Sequence, residues 1–188
     1  TELMLEGVQG PVNDKQAKSL QAVDESGRHL LALINDILDL SKIEAGQEKL
    51  AIESTVIAEV CEGSLRFVRQ TASKKKISIS TRIDPALDAL PADERRLRQI
   101  LINLLTNAIK FTTEGHVAVE LEWTIEPDEI VDLVLRVQDT GPGISEGDRE
   151  RVFEKFVQLG PASRLSSGAG LGLAISRSLA TAMGGEIE

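Results

Sequence analysis

The sequence predicts an α+β fold, a two-layer sandwich of helices on a mainly antiparallel sheet, preceded by a long dimerisation helix that is one arm of a helical hairpin. Two observations predict this class. A helical periodicity runs without interruption from about Asp14 to about Ala45. Beyond it, helices and strands are mixed without regular βαβ units, which favours helices on one face of an antiparallel sheet. The 188 residues suffice for one core and an appendage.

The first domain, residues 1–46, is interpreted as part of a helical hairpin. Thr1–Gly7 is a short helix, and the long helix that follows is closed by Gly46. The apolar residues of the long helix recur at seven-residue spacing, and an isolated helix cannot bury them on itself. They are Val23, Leu30, Leu31, Leu33, Ile34, Ile37, Leu38 and Leu40. Because two such hairpins would make a four-helix bundle, this stripe predicts a homodimer.

The second domain, residues 47–188, carries mixed elements. The patterns predict, in order, a strand, a helix, a strand, a loop, a central helix, two strands joined by a turn, a short capped helix, a last helix and the start of a strand. The predicted strands are Lys49–Ile52, Ile77–Ile83, His116–Ile125, Ile130–Gln138 and Glu186–Glu188, with the turn Pro127-Asp128 between the third and the fourth. The predicted helices are Val56–Ala72, the central helix Asp93–Phe111, Glu146–Val152 after the cap Ser145, and Leu171–Met183, and the predicted loop is Asp84–Pro91. In the first of these helices Val60, Cys61, Leu65 and Val68 are expected to point inward. Since the chain begins in a helix and stops in a strand, we expect a fragment that is truncated at its carboxyl-terminal end.

The composition argues against several classes of function. A formal net charge of −9 without an offsetting basic face argues against nucleic-acid binding, and Lys74–Lys76 is interpreted as a solvated helix end. The single cysteine, Cys61, excludes an internal disulfide and a cysteine-based zinc site. No apolar run is long enough to span a bilayer, and the first ten residues lack the basic start of a signal peptide. We therefore expect a cytoplasmic location, with no membrane contact by this chain.

Both histidines are interpreted as surface residues. His29 lies in the long helix, and no acidic residue directly follows it to orient its ring. His116 follows Gly115 at the start of a strand. A histidine without a positioned partner is seldom catalytic, and two histidines so far apart in sequence do not predict a metal site.

The central helix Asp93–Phe111 combines an apolar face with a polar one. Asp93 is expected to cap it. The apolar face comprises Leu97, Ile100, Leu101, Leu104, Leu105, Ala108 and Ile109. Asn103, Asn107 and Lys110 follow at i, i+4 and i+7 and project from one side. Two amide oxygens one turn apart, with a cation beyond them, could hold a hard metal ion and the phosphates it carries. A solvated stripe that happens to contain asparagine is the alternative.

Two segments downstream suit the binding of a flat, amine-bearing ring. Asp139 ends a strand and precedes Gly141 and Gly143. A carboxylate there can accept a hydrogen bond from an exocyclic amine, and the glycines let the backbone pass close to a ring. The next segment is the pair Phe153 and Phe156, followed by a stretch of small residues at 160–168 that suggests a lid.

A third segment opens the last helix with Gly168, Gly170 and Gly172, the last two flanking Leu171. Free backbone N–H groups at a glycine-rich helix start can cradle a phosphate. No strand precedes this segment, which excludes both the dinucleotide-binding fingerprint and the phosphate loop that ends in Gly-Lys-Ser/Thr.

In this order and together, the motifs resemble those of the catalytic and ATP-binding domain of sensor histidine kinases, within the gyrase, chaperone, histidine kinase and MutL ATPase superfamily. LINLLTNAIKF resembles the N box, DTGPG the first glycine box, FEKF the F box and GAGLGLAIS the second glycine box. LLALINDILDLSKIEAG resembles the second helix of that family's dimerisation and phosphotransfer domain. The resemblance covers nearly the whole chain.

The resemblance implies MgATP as the bound nucleotide and a role for each of these positions. Asp139 would bind the adenine amino group, and Gly141 and Gly143 would give the ring room. Asn103 and Asn107 would coordinate Mg²⁺, and Lys110 would contact the phosphates. Phe153 and Phe156 would anchor the lid, and backbone donors to the phosphates would come from Gly168, Gly170, Leu171 and Gly172.

One position sets the expected reaction. By resemblance, the ATP-hydrolysing branches carry a glutamate one turn before the second asparagine, as general base for water, and the corresponding residue here is Asn103. The phosphoryl group would therefore go to a histidine imidazole, which needs no base of its own. The family's acceptor-histidine motif would come just upstream of Thr1, and neither His29 nor His116 replaces it. We expect a chain that binds MgATP without labelling itself.

The expected function is that of a sensor histidine kinase core. Its γ-phosphoryl group would pass to the upstream histidine and then to an aspartate on a response-regulator receiver, docked on the exposed side of Asp14–Ser41. Two alternatives remain. A nucleotide-binding dimerisation module without kinase activity is disfavoured by intact Asn107 and Asp139, and an ATP-hydrolysing gyrase-like or chaperone-like relative is disfavoured by Asn103.

Overall fold

The computed structural model describes residues 1–8, 10–84, 89–125, 131–159 and 169–188. Its helices are α1 (Glu2–Leu5), α2 (Asp14–Glu44), α3 (Ile57–Lys74), α4 (Glu94–Phe111) and α5 (Gly172–Ala182). Its strands are β1 (Glu53–Val56), β2 (Ser78–Ile83), β3 (Ala89–Ala92), β4 (His116–Ile125) and β5 (Val131–Asp139), and two 3₁₀ turns follow at Glu146–Asp148 and Arg151–Phe153. The predicted α+β class is confirmed.

The main sheet has three strands, with β4 between β2 and β5. Strand β2 runs parallel to β4, with Ser78 opposite His116. Strand β5 runs antiparallel to β4, with Asp139 opposite Val117. Strands β1 and β3 form a separate antiparallel pair. The described sheets are therefore mainly antiparallel, and the main one places Asp139 at a strand end, level with the beginning of β4.

The apolar face of α4 packs against α3 and the sheet. The largest core cluster joins residues of α3, α4 and β4, namely Leu65, Val68, Ala72, Ile77, Leu105, Ala108, Ile109, Val117 and Val119. Every predicted inward residue of α4 is buried except Leu97 and Leu104, which are partly buried. Full burial of one leucine or isoleucine contributes about 1.5–3 kcal/mol. This face therefore fixes which side of α4 turns away from the core.

The carboxyl-terminal end of α2 docks on the second domain. Leu40 is 6% exposed and forms a cluster with Ile100 of α4 and with Leu171 and Ile175 of α5. The rest of the predicted stripe contains exposed residues, namely Val23, Leu30, Leu31, Ile34, Ile37 and Leu38. Although α2 is 31 residues long, no helix in the described part of the chain has both the length and the apolar character needed to cross a membrane.

The prediction of β1 and of the loop after β2 was wrong. Residues 49–52 do not form a strand, because the Ala51 N–H donates to the Asp93 carboxylate (2.9 Å) instead of to a neighbouring strand. The segment predicted as a loop up to Pro91 ends in β3 instead. Pro91 is tolerated there because an edge position does not require its missing N–H. Residues 85–88 of that loop, and the predicted turn at Pro127-Asp128, lie outside the described residues.

Two further elements differ from their prediction. The helix predicted after Ser145 is a pair of 3₁₀ turns. The Ser145 hydroxyl donates to the Asp148 carboxylate (2.7 Å) rather than accepting from the backbone, so no regular cap forms. Glu186–Glu188 is not a strand. Among the described residues no strand pairs with it, and Ile187 packs instead against the cluster around α5.

A buried arginine ties α2 and the connecting segment to α4. The Arg96 side chain is 2% exposed, and its guanidinium donates to Glu48, to Asp39 (3.0 Å) and to Gln99 (2.8 Å). The Glu48 side chain is only 9% exposed. Because both charges of the Arg96–Glu48 pair are desolvated, loss of either one leaves the other with only its second charged contact, which is Asp39 for Arg96 and Arg95 for Glu48.

We expect Arg96→Met to lower the free energy of unfolding by about 3 kcal/mol, because the buried Glu48 would keep only the exposed Arg95 as a counter-charge. Arg95→Met is the matched control. Arg95 lies 3.5 Å from the same carboxylate but is 73% exposed, so its loss should cost less than about 1 kcal/mol. Urea denaturation followed by circular dichroism measures both variants. Equal losses would contradict the importance of burial.

Asp93 caps α4 and also fixes the chain before β1. Its carboxylate accepts hydrogen bonds from the backbone N–H groups of Arg96 (3.0 Å) and Ala51 (2.9 Å), which confirms the predicted cap. Burial alone would raise the pKa of Asp93. These two N–H groups, together with the charges of Arg95 and Arg96, outweigh burial and hold the pKa below its usual value.

The lowered pKa predicts a pH dependence of stability. The Asp93 carboxylate stabilises the fold fully above its unfolded-state pKa of about 3.9, and this contribution disappears as the pH falls through the lower folded-state value. Asp93→Asn keeps one acceptor oxygen, so it should cost about 1 kcal/mol at neutral pH and flatten the acid decline. Thermal unfolding at a series of acidic and neutral pH values checks this, and parallel curves for the variant and the wild type would contradict it.

Candidate functional site

Asn103 joins the middle of α4 to the start of α5. Its side-chain amide nitrogen donates to the Gly172 carbonyl oxygen (3.2 Å) and to the Ser176 hydroxyl (3.3 Å). A Cβ on Gly172 would lie 3.6 Å from the Asn103 side chain, so the two helices are in van der Waals contact at this point. Asn103 therefore positions the first turn of α5, and its amide oxygen is the atom left to face a cation.

Asn107 lies one turn further along the same side of α4. It is half-buried, and its amide makes no side-chain hydrogen bond within the described ranges. Half-buried amides normally find partners, so this group is suited to a ligand. Lys110 follows, with its ammonium 5.2 Å from the centre of the Phe111 ring, and burial lowers the pKa of Lys110.

The loop from Asp139 to Gly143 lies against the carboxyl end of α4. One oxygen of the exposed Asp139 carboxylate accepts a hydrogen bond from the Gly141 N–H (2.8 Å). A Cβ on Gly141 would lie 2.7 Å from that carboxylate and 3.2 Å from the Phe111 carbonyl oxygen, so only glycine fits. Gly143 has a φ of +71° and open space around it.

The segment before the predicted lid is joined to the start of α5 through the backbone. The Phe156 N–H donates to the Gly170 carbonyl oxygen (3.0 Å). Gly170 has a φ of +69°, and a Cβ there would lie 2.7 Å from the Val157 carbonyl oxygen. Phe156 has a φ of +63° and a 63% exposed side chain. The predicted lid, including Gly168, lies outside the described residues; the chain on either side of it is paired at this hydrogen bond.

Phe153 packs against α5 rather than against the asparagine side of α4. Its ring centre lies 4.7 Å from the guanidinium carbon of Arg177, and Arg177 also donates to Glu150 (2.9 Å). Such a cation–π contact contributes about 0.5–1 kcal/mol at an exposed site. Phe153 thus holds the second 3₁₀ turn on α5, next to the lid.

The start of α5 presents backbone rather than side chains. Leu171 is 1% exposed and packs with Leu40 and Ile175, so its side chain belongs to the core. Helix α5 begins at Gly172, and no side chain caps its first turn. The first N–H groups of a helix have no partner within it and carry the positive end of its dipole. They are therefore available to an anion.

Two glycines contact α4 at points on either side of Asn107. Gly172 contacts α4 at Asn103, Gly141 contacts its end at Phe111, and Asn107 lies between them. Eight residues of helix separate the two contacts, which is about 12 Å. No group of three or more histidine, cysteine, aspartate or glutamate side chains suited to a metal occurs among the described residues. A cation bound here would depend on asparagine oxygens and on oxygens of the ligand.

Four polar residues that shape the site are absent from the sequence prediction. Ser176 and Arg177 bind Asn103 and Phe153. The Thr140 hydroxyl accepts a hydrogen bond from the His116 N–H (3.0 Å). It would collide with a Cβ on Gly115, the residue before His116. Lys75 contacts the end of α4. Each of the four contacts a residue that is distant in sequence, so the local pattern did not indicate its role. Thr140 is the exception, because it is the one hydroxyl inside the Asp-x-Gly segment and could have been noticed there.

Two family models match this chain. The family model for histidine kinase-, DNA gyrase B- and HSP90-like ATPases matches residues 92–188. The chain belongs to this family. The model for the His Kinase A (phospho-acceptor) domain matches residues 1–46. The pair of matches identifies the chain as a sensor histidine kinase sequence with an ATP-binding domain.

Similar proteins support the same assignment. The chain is 42% identical over 193 residues to the non-motile and phage-resistance protein of Caulobacter vibrioides, matching 100% of this chain and 22% of that protein. It is 40% identical to the circadian input-output histidine kinase CikA of Synechococcus elongatus, matching 95% of this chain and 24% of that protein. The chain thus spans about a quarter of the length of these relatives.

A solved structure shares the architecture. Full-length ShkA, crystallised in complex with AMPPNP, superposes with a TM-score of 0.78 at 35% identity, over 94% of this chain and 36% of ShkA. The chain therefore shares its architecture with part of a protein that was crystallised with AMPPNP.

Two glycines with left-handed backbones provide a matched test of the site. Gly170→Ala should destabilise the protein by more than about 2 kcal/mol, because a strained φ is combined with a clash against Val157. Gly143→Ala meets open space, so it should cost only the conformational term of about 1–2 kcal/mol. Urea denaturation measures both, and equal losses would show that the contact with Val157 adds nothing.

Proposed function

We propose that the chain is the ATP-binding core of a sensor histidine kinase that transfers the γ-phosphoryl group of MgATP to a histidine for relay to a response-regulator aspartate. The single observation that carries this proposal is the half-buried Asn107, whose amide makes no side-chain hydrogen bond within the described ranges and which lies on α4 between the contacts with Gly172 and Gly141. The histidine kinase relatives support the reaction type, and the whole protein's activity is part of the proposal.

The residues fit a nucleotide with a divalent cation. Gly141 and Gly170 are packed so closely against other parts of the chain that any Cβ would clash, so the backbone at both positions carries no side chain. Asn103 and Asn107 offer neutral amide oxygens, which suit a hard cation such as Mg²⁺ that keeps most of its ligands as water and phosphate oxygens. The uncapped start of α5 and the Lys110 ammonium supply positive potential for phosphates.

In this proposal each residue has one task. Asp139 accepts from the adenine amino group through the carboxylate whose position is fixed by Gly141. Lys110 and the backbone from Gly170 to Gly172 hold phosphate oxygens, and the Leu171 side chain anchors that backbone in the core. Phe153 and Phe156 fix the flank of the lid, and Gly168 would complete the donor set from the lid itself.

The reaction is phosphoryl transfer to nitrogen. The bond from the γ-phosphorus to its bridging oxygen breaks, a bond to an imidazole nitrogen forms, and ADP leaves. When bound, Mg²⁺ neutralises charge on the phosphates. In place of a general base, Asn103 has an amide committed to α5, so water is not activated. Catalysis by this chain consists of positioning and charge neutralisation.

The acceptor and the partners belong to the proposal as well. His29 and His116 are exposed, and within the described ranges neither ring has a side-chain partner that would orient it; neither is the acceptor. The exposed apolar side of α2 would pair with a second copy in a four-helix bundle. The receiver would dock on the polar side of Asp14–Ser41, and the location would be cytoplasmic.

Replacing Asn107 tests the metal-dependent site. We expect the wild type to bind an ATP analogue at least about tenfold more tightly with Mg²⁺ than without it, and Asn107→Ala to lose that gain. Thr106→Ala, an exposed neighbour on the same helix, is the control and should bind like the wild type. Isothermal titration calorimetry with and without EDTA gives the affinities. Metal-independent binding by the wild type would contradict the proposal.

A further inference from the structure

Lys75 reaches across from α3 to the end of α4. It is the first residue after α3, and its ammonium donates to the carbonyl oxygens of Ile109 (2.8 Å), Lys110 (2.9 Å) and Thr112 (3.4 Å). An ammonium has three donors and no acceptor, so the three carbonyls match its hydrogen-bonding capacity. Part of the tract predicted as a solvated helix end is therefore a specific contact.

The end of α4 requires such a contact. The last carbonyls of a helix have no partner within it and carry the negative end of its dipole. Many helices end with a glycine in the left-handed conformation, whose backbone supplies the missing hydrogen bonds. Helix α4 instead runs into Thr112, which has extended backbone angles and donates only to Ala108. The Lys75 ammonium, just past the end of α3, donates to three of the carbonyl oxygens at the end of α4.

The backbone around Lys75 holds it in place. The Ile77 N–H donates to the Ala72 carbonyl oxygen (3.0 Å), and the Lys76 N–H donates to that of Ser73 (3.0 Å). Lys76 has a φ of +59°, and Ile77 is buried at 5% exposure. These are the hydrogen bonds and the apolar contact of a Schellman motif, with Lys76 at the left-handed position. The motif orients Lys74, Lys75 and Lys76 differently. Of these three, only Lys75 has a hydrogen bond to α4 within the described part of the chain.

The carbonyls that Lys75 binds belong to the part of α4 that forms the site. Asn107 and Lys110 lie in the last turns of α4, and the Phe111 carbonyl abuts Gly141. We propose that Lys75 is a positioning residue for the nucleotide site: its ammonium fixes the last turn of α4 and thereby the places of Asn107 and of the loop beginning at Asp139. It also offsets the negative helix end close to where an anionic ligand would bind. This inference rests on the proposed function.

Three variants separate this role from a general effect on stability. Lys75→Met keeps the length of the side chain and removes its charge and donors. Lys75→Arg keeps charge and donors. Lys74→Met is the matched control, since Lys74 is the exposed last residue of α3 and has no hydrogen bond to α4 within the described ranges. Thermal unfolding first establishes a temperature at which all the variants are folded, and Lys75→Gln replaces Lys75→Met if the latter does not fold.

The first measurement is amide hydrogen exchange of the nucleotide-free protein. Lys75→Met should raise exchange at Phe111 and Thr112 by about tenfold or more, since it removes the charged donor from the carbonyl oxygens of the last turn of α4. Lys74→Met should leave these rates unchanged, and Lys75→Arg should restore most of the protection. Unchanged exchange at these amides in Lys75→Met would overturn the capping role.

The second measurement is the affinity for an ATP analogue in the presence of Mg²⁺. Lys75→Met should bind about tenfold more weakly, whereas Lys74→Met should bind like the wild type. Lower thermal stability with unchanged affinity would assign Lys75 to the fold alone and overturn the proposal. If the wild type itself binds no nucleotide, the proposed function fails, while the exchange measurement still decides whether Lys75 caps α4.

Discussion

The burial of one face of α4 is the constraint on which the rest of this structure depends. Leu101 and Leu105 are fully buried between α3 and the sheet, so the helix cannot rotate about its axis without exposing apolar surface. That fixed rotation brings Asn103 and Asn107 to the side where α5 begins. Stability and ligand geometry are thus set by opposite sides of one helix, and the polar side can carry poor helix formers because the apolar side supplies the stability.

The ends of α4 are fixed by charges from other parts of the chain. At its start, Asp93 caps the helix and binds Ala51, while Arg96 joins it to Glu48 and Asp39. At its other end, the Lys75 ammonium donates to the carbonyl oxygens of Ile109 and Lys110. The same helix therefore connects the end of α2, the segment before β1 and the loop at Asp139. Leu40 extends this connection to the start of α5, because it shares a cluster with Leu171.

The glycines around the site serve different physical purposes. Gly141 is needed for space, because backbone and carboxylate atoms leave no room for a side chain. Gly170 needs both space and a left-handed backbone, whereas Gly143 needs only the backbone conformation. A motif that appears uniform in the sequence therefore combines tight packing with conformational freedom, and the two contributions can be separated only when the neighbouring atoms are known.

The sequence by itself determined the fold class and the bounds of α2, α4 and β4 to within a residue or two, and it predicted the asparagines and glycines of the candidate site. These follow from local rules, namely helical and strand periodicity, the cap at Asp93 and the spacing of asparagine and glycine. Only the tertiary structure decided that β1 and β3 pair, that Asn103 binds α5, that Arg96 is buried between two acids and that Lys75 ends α4. Each of these depends on a partner between 33 and 73 residues away, and the pattern of residues along a single element does not encode which distant group will meet it.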